Sequence, residues 1–330
     1  MSTSCADLTG YQGGEWRAAT RQLTTTAALY ACVWVLAYRG LEVGYWLTLL
    51  LAVPGAGLLV RLFIIQHDCG HGSFFPSRRL NEALGRVLAV VTLTPYQYWR
   101  RFHAMHHATS GNLDERGPYD VTTLTVREYR ALAPWHRLKY RIYRHPVFLF
   151  GLAPTVLFVV LYRFPWIAPA TWRRERRGIL ETDLAVVTLA TVASSVVGLR
   201  DLLLVQLPIT VLAASLGMWL FYVQHQFEET YWTPGDTWRF GEAGAVGSSC
   251  YDLPAPLQWI TGNIGFHHIH HLNPRIPNYR LPRCFAETPA LQAVTRLTMR
   301  ESLRCARLKL WDTDRRRLVT FRDAAAPERR

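Results

Sequence analysis

Val43–His71 reads VGYWLTLLLAVPGAGLLVRLFIIQHDCGH. Val43–Val60 carries no charge, and the same helix can continue past Arg61 to His67. A bilayer core about 30 Å thick takes roughly 17–25 apolar residues per helix, so this stretch predicts a membrane span. At its end stand His67 and His71, spaced i and i+4, which puts both imidazoles on one helix face. Imidazole is the commonest metal-binding side chain. The stretch therefore predicts a membrane helix that delivers a ligand pair to one membrane surface.

Three further runs have the same texture. Gln22–Tyr38 and Leu184–Leu199 are uncharged, and Leu202–Gln226 is uncharged over a full span. Val87–Trp99 and Pro146–Tyr162 are shorter or interrupted by proline, which discourages a straight span. Ala6–Arg21 is polar and no small-residue cleavage site follows it, so the first run reads as a retained helix rather than a removed signal.

Lysine and arginine number 37 against 24 acidic residues, a net charge of +13. The surplus sits at Arg78-Arg79, Arg100-Arg101, Arg127–Arg144, Arg173–Arg177 and the C-terminal tail. These positions flank apolar segments, as cytoplasmic loops do. No nucleic-acid-binding motif accompanies the charge, which argues against that partner. The six cysteines (Cys5, Cys32, Cys69, Cys250, Cys284 and Cys305) show no zinc or redox spacing. Reduced thiols facing the cytoplasm are the simplest reading.

Charge and parity together predict an all-α integral membrane fold. Helices at about 22–38 and 43–67 form one hairpin, with the short loop Arg39–Glu42 outside. Helices at about 180–199 and 202–224 form a second hairpin around Arg200-Asp201. The runs 87–99 and 146–162, basic on both flanks, are expected in the interface or as re-entrant segments. The result is four transmembrane helices, interfacial helices and a cytoplasmic histidine-rich cap; a six-span arrangement is the rival. Residues 1–21 form a cytoplasmic N-terminal segment, 22–322 the membrane domain and 323–330 a disordered tail.

Nine of the twelve histidines fall in three windows, His67–His71, His103–His107 and His267–His271. His103, His106 and His107 repeat the i, i+3, i+4 pattern of one helix face, as do His267, His270 and His271. His268 fits no such set. His225 follows the last apolar run directly. His67, His71, His103, His106, His107, His225, His267, His270 and His271 make nine converging imidazoles. A tetrahedral zinc takes about four ligands, so nine suit two ions, and all-nitrogen donors suit iron, zinc, copper or nickel. The HExxH motif of zinc proteases is absent, as are the Glu-x-x-His pairs of soluble di-iron bundles. A metal transporter would carry ionisable residues in mid-membrane, whereas these windows lie at helix ends or in polar segments.

His67-Asp68-Cys69-Gly70-His71, His103–His107 followed by Asn112-Leu113-Asp114, and His267–His271 resemble the three histidine boxes of integral-membrane fatty acid desaturases. Tyr222–Glu228, Gly262–Phe266 and Asn273–Tyr279 resemble the bacterial acyl-lipid branch, and the likeness runs from about 60 to 285. The resemblance implies a non-haem di-iron enzyme that uses O2 and two electrons to desaturate an acyl chain, most simply that of a membrane lipid. It maps the iron ligands onto the nine histidines, with Asn263, or Gln224, as a water-mediated partner. Related histidine-box proteins hydroxylate instead, so that outcome remains an alternative.

Asp68, Asp114, Asp120, Glu228 and Glu229 are candidates to orient imidazoles. His136 and His145, set among arginines, are expected to be solvated. Trp99, Trp232, Trp238 and Trp259 suit the headgroup level. No dinucleotide fingerprint, haem-attachment motif or fused cytochrome signature is present, so electrons must come from another protein. The resemblance implies ferredoxin, flavodoxin or a cytochrome b5-type donor, drawn to the basic face if acidic.

Overall fold

The computed structural model describes residues 7–325. Two helical hairpins dominate. Helix α1 (Trp16–Val43) turns at Gly44 into α2 (Tyr45–His71). Helices α3 (Arg78–Val91) and α4 (Tyr96–Thr109) follow. Later come α5 (Arg173–Val197), α6 (Leu199–His225) and the short α7 (His267–Leu272). Among the described residues three helices, α2, α5 and α6, are long and apolar enough to cross a membrane. A pair bent by 55°, Pro134–Tyr143 with Val147–Arg163, would make a fourth if it is one broken span.

Two expectations need adjusting here. The predicted span 22–38 forms within α1, but this helix is not among those apolar enough to cross. Its first turns carry Arg17, Arg21 and the run Thr24-Thr25-Thr26, whose hydroxyls bond back to carbonyls of the preceding turn. The second hairpin turns at Gly198 rather than at Arg200-Asp201, and α5 starts seven residues earlier than expected, at Arg173. Gly198 has φ +81°, a conformation that side chains with a Cβ disfavour, which leaves Arg200 and Asp201 in the first turn of α6.

Helix α2 packs on α6 through small residues. A Cβ on Gly55 would lie 3.1 Å from Ile209 of α6, while Gly57 makes room for Ile260 of the short helix Ala255–Ile260, with which an added Cβ would collide. Close approach of this kind is what stabilises helix pairs in lipid, where no hydrophobic drive separates apolar faces from their surroundings. Buried Ala52, Ala56, Val205, Ile209 and Ala213 form the seam. Tyr30 and Trp34 of α1 close it by donating to Gln206 Oε1, each at 3.1 Å.

The run 87–99 is not one segment. It divides at a turn in which Leu93 adopts φ +55°, ending α3 at Val91 and starting α4 at Tyr96. The polar cap is not purely helical either. Strands β1 (Leu124–Thr125), β4 (Leu310–Asp312) and β5 (Arg317–Val319) form one small sheet, with β1–β4 parallel and β4–β5 antiparallel. Strands β2 (Cys250–Asp252) and β3 (Arg296–Thr298) form a parallel pair. Of the tail expected to be disordered, Asp323–Ala325 complete a short helix from Phe321, and 326–330 lie outside the described residues.

Candidate metal centre

Helix α2 ends where it does because Gly72 adopts the left-handed conformation (φ +70°) and its N–H donates to the Asp68 and Cys69 carbonyls, a glycine C-cap. That stop leaves His67 and His71 on the last turn. Helix α4 presents His103, His106 and His107, α6 ends on His225, and α7 carries His267, His270 and His271. All nine predicted histidines converge and sort into two groups. His67, His71, His103, His107 and His270 form one; His106, His225, His267 and His271 form the other. Within each, the donor nitrogens lie within 4.8 Å of one another. The groups adjoin, with the His107 ring stacked on His271 at 4.2 Å between centroids.

The nitrogen geometry suits a metal ion. His106 Nε2 lies 3.1 Å from His225 Nε2 and 3.2 Å from His271 Nε2, and His225 Nε2 lies 2.9 Å from His267 Nε2. In the other group His107 Nε2 lies 3.0 Å from both His103 Nε2 and His270 Nε2. Several Nδ1 atoms are already committed. His67 Nδ1 faces Asp68 Oδ1 at 3.0 Å, His106 Nδ1 faces Asp120 Oδ1, and His225 Nδ1 donates to the Gly247 carbonyl at 3.1 Å. A neutral ring has one N–H, so Nδ1 donors turn the Nε2 lone pairs of these rings toward one another. Such an arrangement is repulsive on its own and is relieved by a cation between the lone pairs. Nitrogens bound about 2.1 Å from a common ion at right angles stand about 3.0 Å apart, matching the observed spacing. The buried His71 Nε2 has no hydrogen-bond partner, as expected of an atom facing an ion.

Burial, reinforced by neighbouring imidazoles, holds His103, His107, His267, His270 and His271 well below the ordinary histidine range near 6.5. They are neutral at physiological pH, the form that binds metal. In the metal-free protein the unfolded chain takes up more protons than the folded chain once the pH falls below about 6.5, so stability must fall with pH there. Denaturant midpoints of the metal-free protein should therefore drop steadily on acidification from pH 7 to 5. A midpoint flat across that range would contradict the burial of neutral rings.

Asp68 is tied down from two sides: its Oδ2 accepts from the Asn278 backbone N–H at 2.6 Å and from Asn278 Nδ2 at 2.8 Å. Gln22 in turn donates to Asn278 Oδ1 at 2.8 Å. Outer partners of this kind fix ring orientation, and their loss typically weakens metal binding by about 10–100-fold. Asp68→Asn is expected to lower affinity in the five-histidine group by about that factor, read by chelator competition. The other suggested acids are engaged elsewhere or open to solvent. Asp114 accepts from the Gly235 N–H at 2.7 Å, Glu228 pairs with Arg317 at 2.9 Å, and Glu229 is exposed.

Asn263 is also committed: it sits at φ +57° and its Nδ2 donates to the Asn278 carbonyl at 3.2 Å. Gln224 lines the cavity described below while its Nε2 donates to the Ile264 carbonyl at 3.0 Å. His268 stands outside both groups, fully buried, with Nε2 against the Leu291 carbonyl at 3.0 Å. His136 and His145 are exposed. Two tryptophans depart from the headgroup expectation. Trp99 is buried and stacks on His103 at 4.7 Å, and Trp232 is buried with Trp311 and Leu318. Asn278 and the Gly247 carbonyl were not legible as site groups, because neither carries a metal-binding side chain.

A cavity of about 430 Å³ opens from the histidines into the helix bundle. His67, His103, His106 and His267 line it, with Asp120 and Gln224; most of the remaining wall is apolar. Thr210 and Gln224 both line it, fourteen residue steps apart on α6, about 21 Å at 1.5 Å per residue. Its largely apolar wall suits an apolar chain.

The fatty acid desaturase family model matches residues 14–302. A fatty acid desaturase of Bacillus subtilis (strain 168) is 45% identical over 301 residues, covering 91% of this chain and 85% of that one. An endoplasmic reticulum omega-3 fatty acid desaturase of Vigna radiata is 27% identical over 285 residues, 81% of this chain and 71% of that protein. An sn-1 acyl-lipid omega-3 desaturase (ferredoxin) of Synechocystis is 29% identical over 238 residues, 67% of this chain and 62% of that protein. With these likenesses joined to the converging histidines and the apolar cavity beside them, the chain belongs to the fatty acid desaturase family.

Proposed function

We propose that the protein introduces a double bond into an acyl chain of a membrane lipid, using O2 and two externally supplied electrons, at two irons held by its nine histidines. The observation that carries this reading is that His67, His103, His106 and His267 line a largely apolar cavity. His67, His71, His103, His107 and His270 would hold one iron; His106, His225, His267 and His271 would hold the other. Iron rather than zinc follows from the reaction, since zinc has no redox chemistry. Bound there, the pair supplies the O2-derived oxidising power that an unactivated C–H bond requires.

The chain's own residues do the rest. Phe63, Leu149, Phe158 and Phe221 in the cavity wall bind the acyl methylenes and exclude water. Asp68 and Asp120 hold the rings of His67 and His106 in one tautomer and orientation. Asn263, through its left-handed turn and its bond to Asn278, shapes the approach to His267; its placement as a water-mediated ligand is not required for this role.

We read the topology as four crossings in two hairpins, α1–α2 and α5–α6, with the histidine-bearing ends on the cytoplasmic side of a bacterial membrane. The arginines at 78–79, 100–101 and 173–177 support that orientation. The weak apolarity of α1 is offset by its packing against α2 in the same hairpin. Residues 22–322 form the catalytic membrane domain. The donor is a separate protein: ferredoxin, flavodoxin or a cytochrome b5-type carrier.

Expression in a host that lacks such unsaturated lipids, followed by mass-spectrometric location of new double bonds, tests the function. New alkenes without alcohols are expected. Alcohols alone would favour the hydroxylase reading, and unaltered lipids with bound metal would overturn both.

A further inference from the structure

Arg144 is fully buried, and its guanidinium meets neutral groups on three separate segments. Nη1 donates to the Thr122 carbonyl at 3.0 Å and to Thr123 Oγ1 at 3.3 Å. Nη2 donates to Tyr222 Oη at 3.2 Å, to Gln226 Oε1 at 2.9 Å and to the Leu308 carbonyl at 3.1 Å. None of these acceptors is charged. A second cation, Lys309, donates from Nζ to the Arg144 carbonyl at 2.6 Å. Keeping a guanidinium buried without an acid is unfavourable unless its hydrogen bonds are satisfied. Something other than ion pairing must explain its position.

The segments it joins supply that explanation. Thr122 and Thr123 stand two and three residues beyond Asp120, the carboxylate on His106 Nδ1. Tyr222 and Gln226 flank His225 at the end of α6. His106 and His225 belong to the same four-histidine group, their Nε2 atoms 3.1 Å apart. Thr123 Oγ1 also donates to Gln226 Oε1 at 3.2 Å, closing the link directly. All of these contacts come from the two Nη atoms of the planar fork, Nε having no partner among the described residues, whereas an ammonium has three donors on a single atom.

We propose that Arg144 is a positioning residue for the four-histidine group: it holds the Asp120 loop and the end of α6 in fixed relation, and so sets how His106 and His225 face one another. Ligand sets need support of this kind to hold their geometry within about 0.5 Å. The inference rests on the two-iron reading given above.

The test uses the full-length protein loaded with 57Fe and compares Arg144→Lys, Arg144→Gln and Lys309→Met with the unaltered chain. Iron per chain and the Mössbauer spectrum are read together with helical circular dichroism. Both Arg144 variants are expected to keep their helical signal and one iron, while the affinity for the second falls at least about 10-fold, the lower end for lost outer partners. Lys309→Met, a structural change beside the same site, is expected to lower the melting temperature yet keep two irons and the original spectrum. Wild-type iron content and spectrum in Arg144→Lys would overturn the proposal, because charge without the fork would then suffice. So would Lys309→Met losing the same iron to the same extent. Should neither Arg144 variant accumulate, Thr123→Val decides: a changed signal at one iron supports the proposal, and an unchanged one overturns it. Fewer than two irons in the unaltered chain would overturn the two-iron reading itself, a distinct result.

Discussion

His106→Ala is expected to abolish desaturation and to remove the metal ion of the four-histidine group while the protein still inserts and folds. His106 is central to that group. Its Nε2 is within 3.2 Å of the Nε2 atoms of both His225 and His271, and its Nδ1 engages Asp120. Its loss removes a donor and leaves the Asp120 carboxylate without its imidazole. Outer partners alone are worth about 10–100-fold in metal affinity or activity, so loss of the ring itself should exceed about 100-fold in product formed per protein. The matched readout is metal content, expected to fall toward one ion per chain. His268→Ala is the internal control, since that ring stands outside both groups against the Leu291 carbonyl. Double bonds formed at an undiminished rate by His106→Ala would sink the ligand assignment.

Gly217→Leu is expected to close the cavity to long acyl chains without harming the fold. Gly217 lines the cavity on α6, and a Cβ there meets no heavy atom within 4 Å. The new side chain therefore has open space to enter. Glycine within a helix is less favourable than alanine by about 0.5–1 kcal/mol, so the variant should be no less stable. A hydrophobic pocket discriminates a single methylene by roughly 10–200-fold. Four added carbons in the acyl path should lower turnover of the natural chain length by about 100-fold or more. Both metal ions should stay bound, which separates this effect from a ligand defect. Unchanged product profiles with the same substrates would show that the acyl chain lies elsewhere.

The elements that were readable beforehand share one property: their evidence is local. Val43–Val60 and Leu202–Gln226 announce α2 and α6 because a long uncharged run has few other stable outcomes. The spacing His103, His106, His107 announces one helix face because the helical period is fixed. Local evidence is weaker at α1, whose uncharged run is interrupted by threonines and falls short of the apolarity of α2, α5 and α6. It misled at the second hairpin, where the charged pair Arg200-Asp201 seemed the turn and Gly198 made it. Arg144 shows the limit most clearly. In the sequence it is one arginine in a basic stretch flanking an apolar segment; in the fold it is fully buried between the Asp120 loop and the His225 helix end.

By itself the amino-acid sequence determined that this protein is built on long apolar helices and that nine histidines are spaced to bind metal. The tertiary structure alone decided that the nine divide into five and four, that Asp68 and Asp120 rather than Asp114 or Glu228 hold their rings, and that an apolar cavity meets them at His67, His103, His106 and His267. The reason is distance along the chain. His106 meets His225 and His271 across 119 and 165 residues. Helical period dictates which side chains share a face, but only packing of α2, α4, α6 and α7 against one another dictates which faces meet.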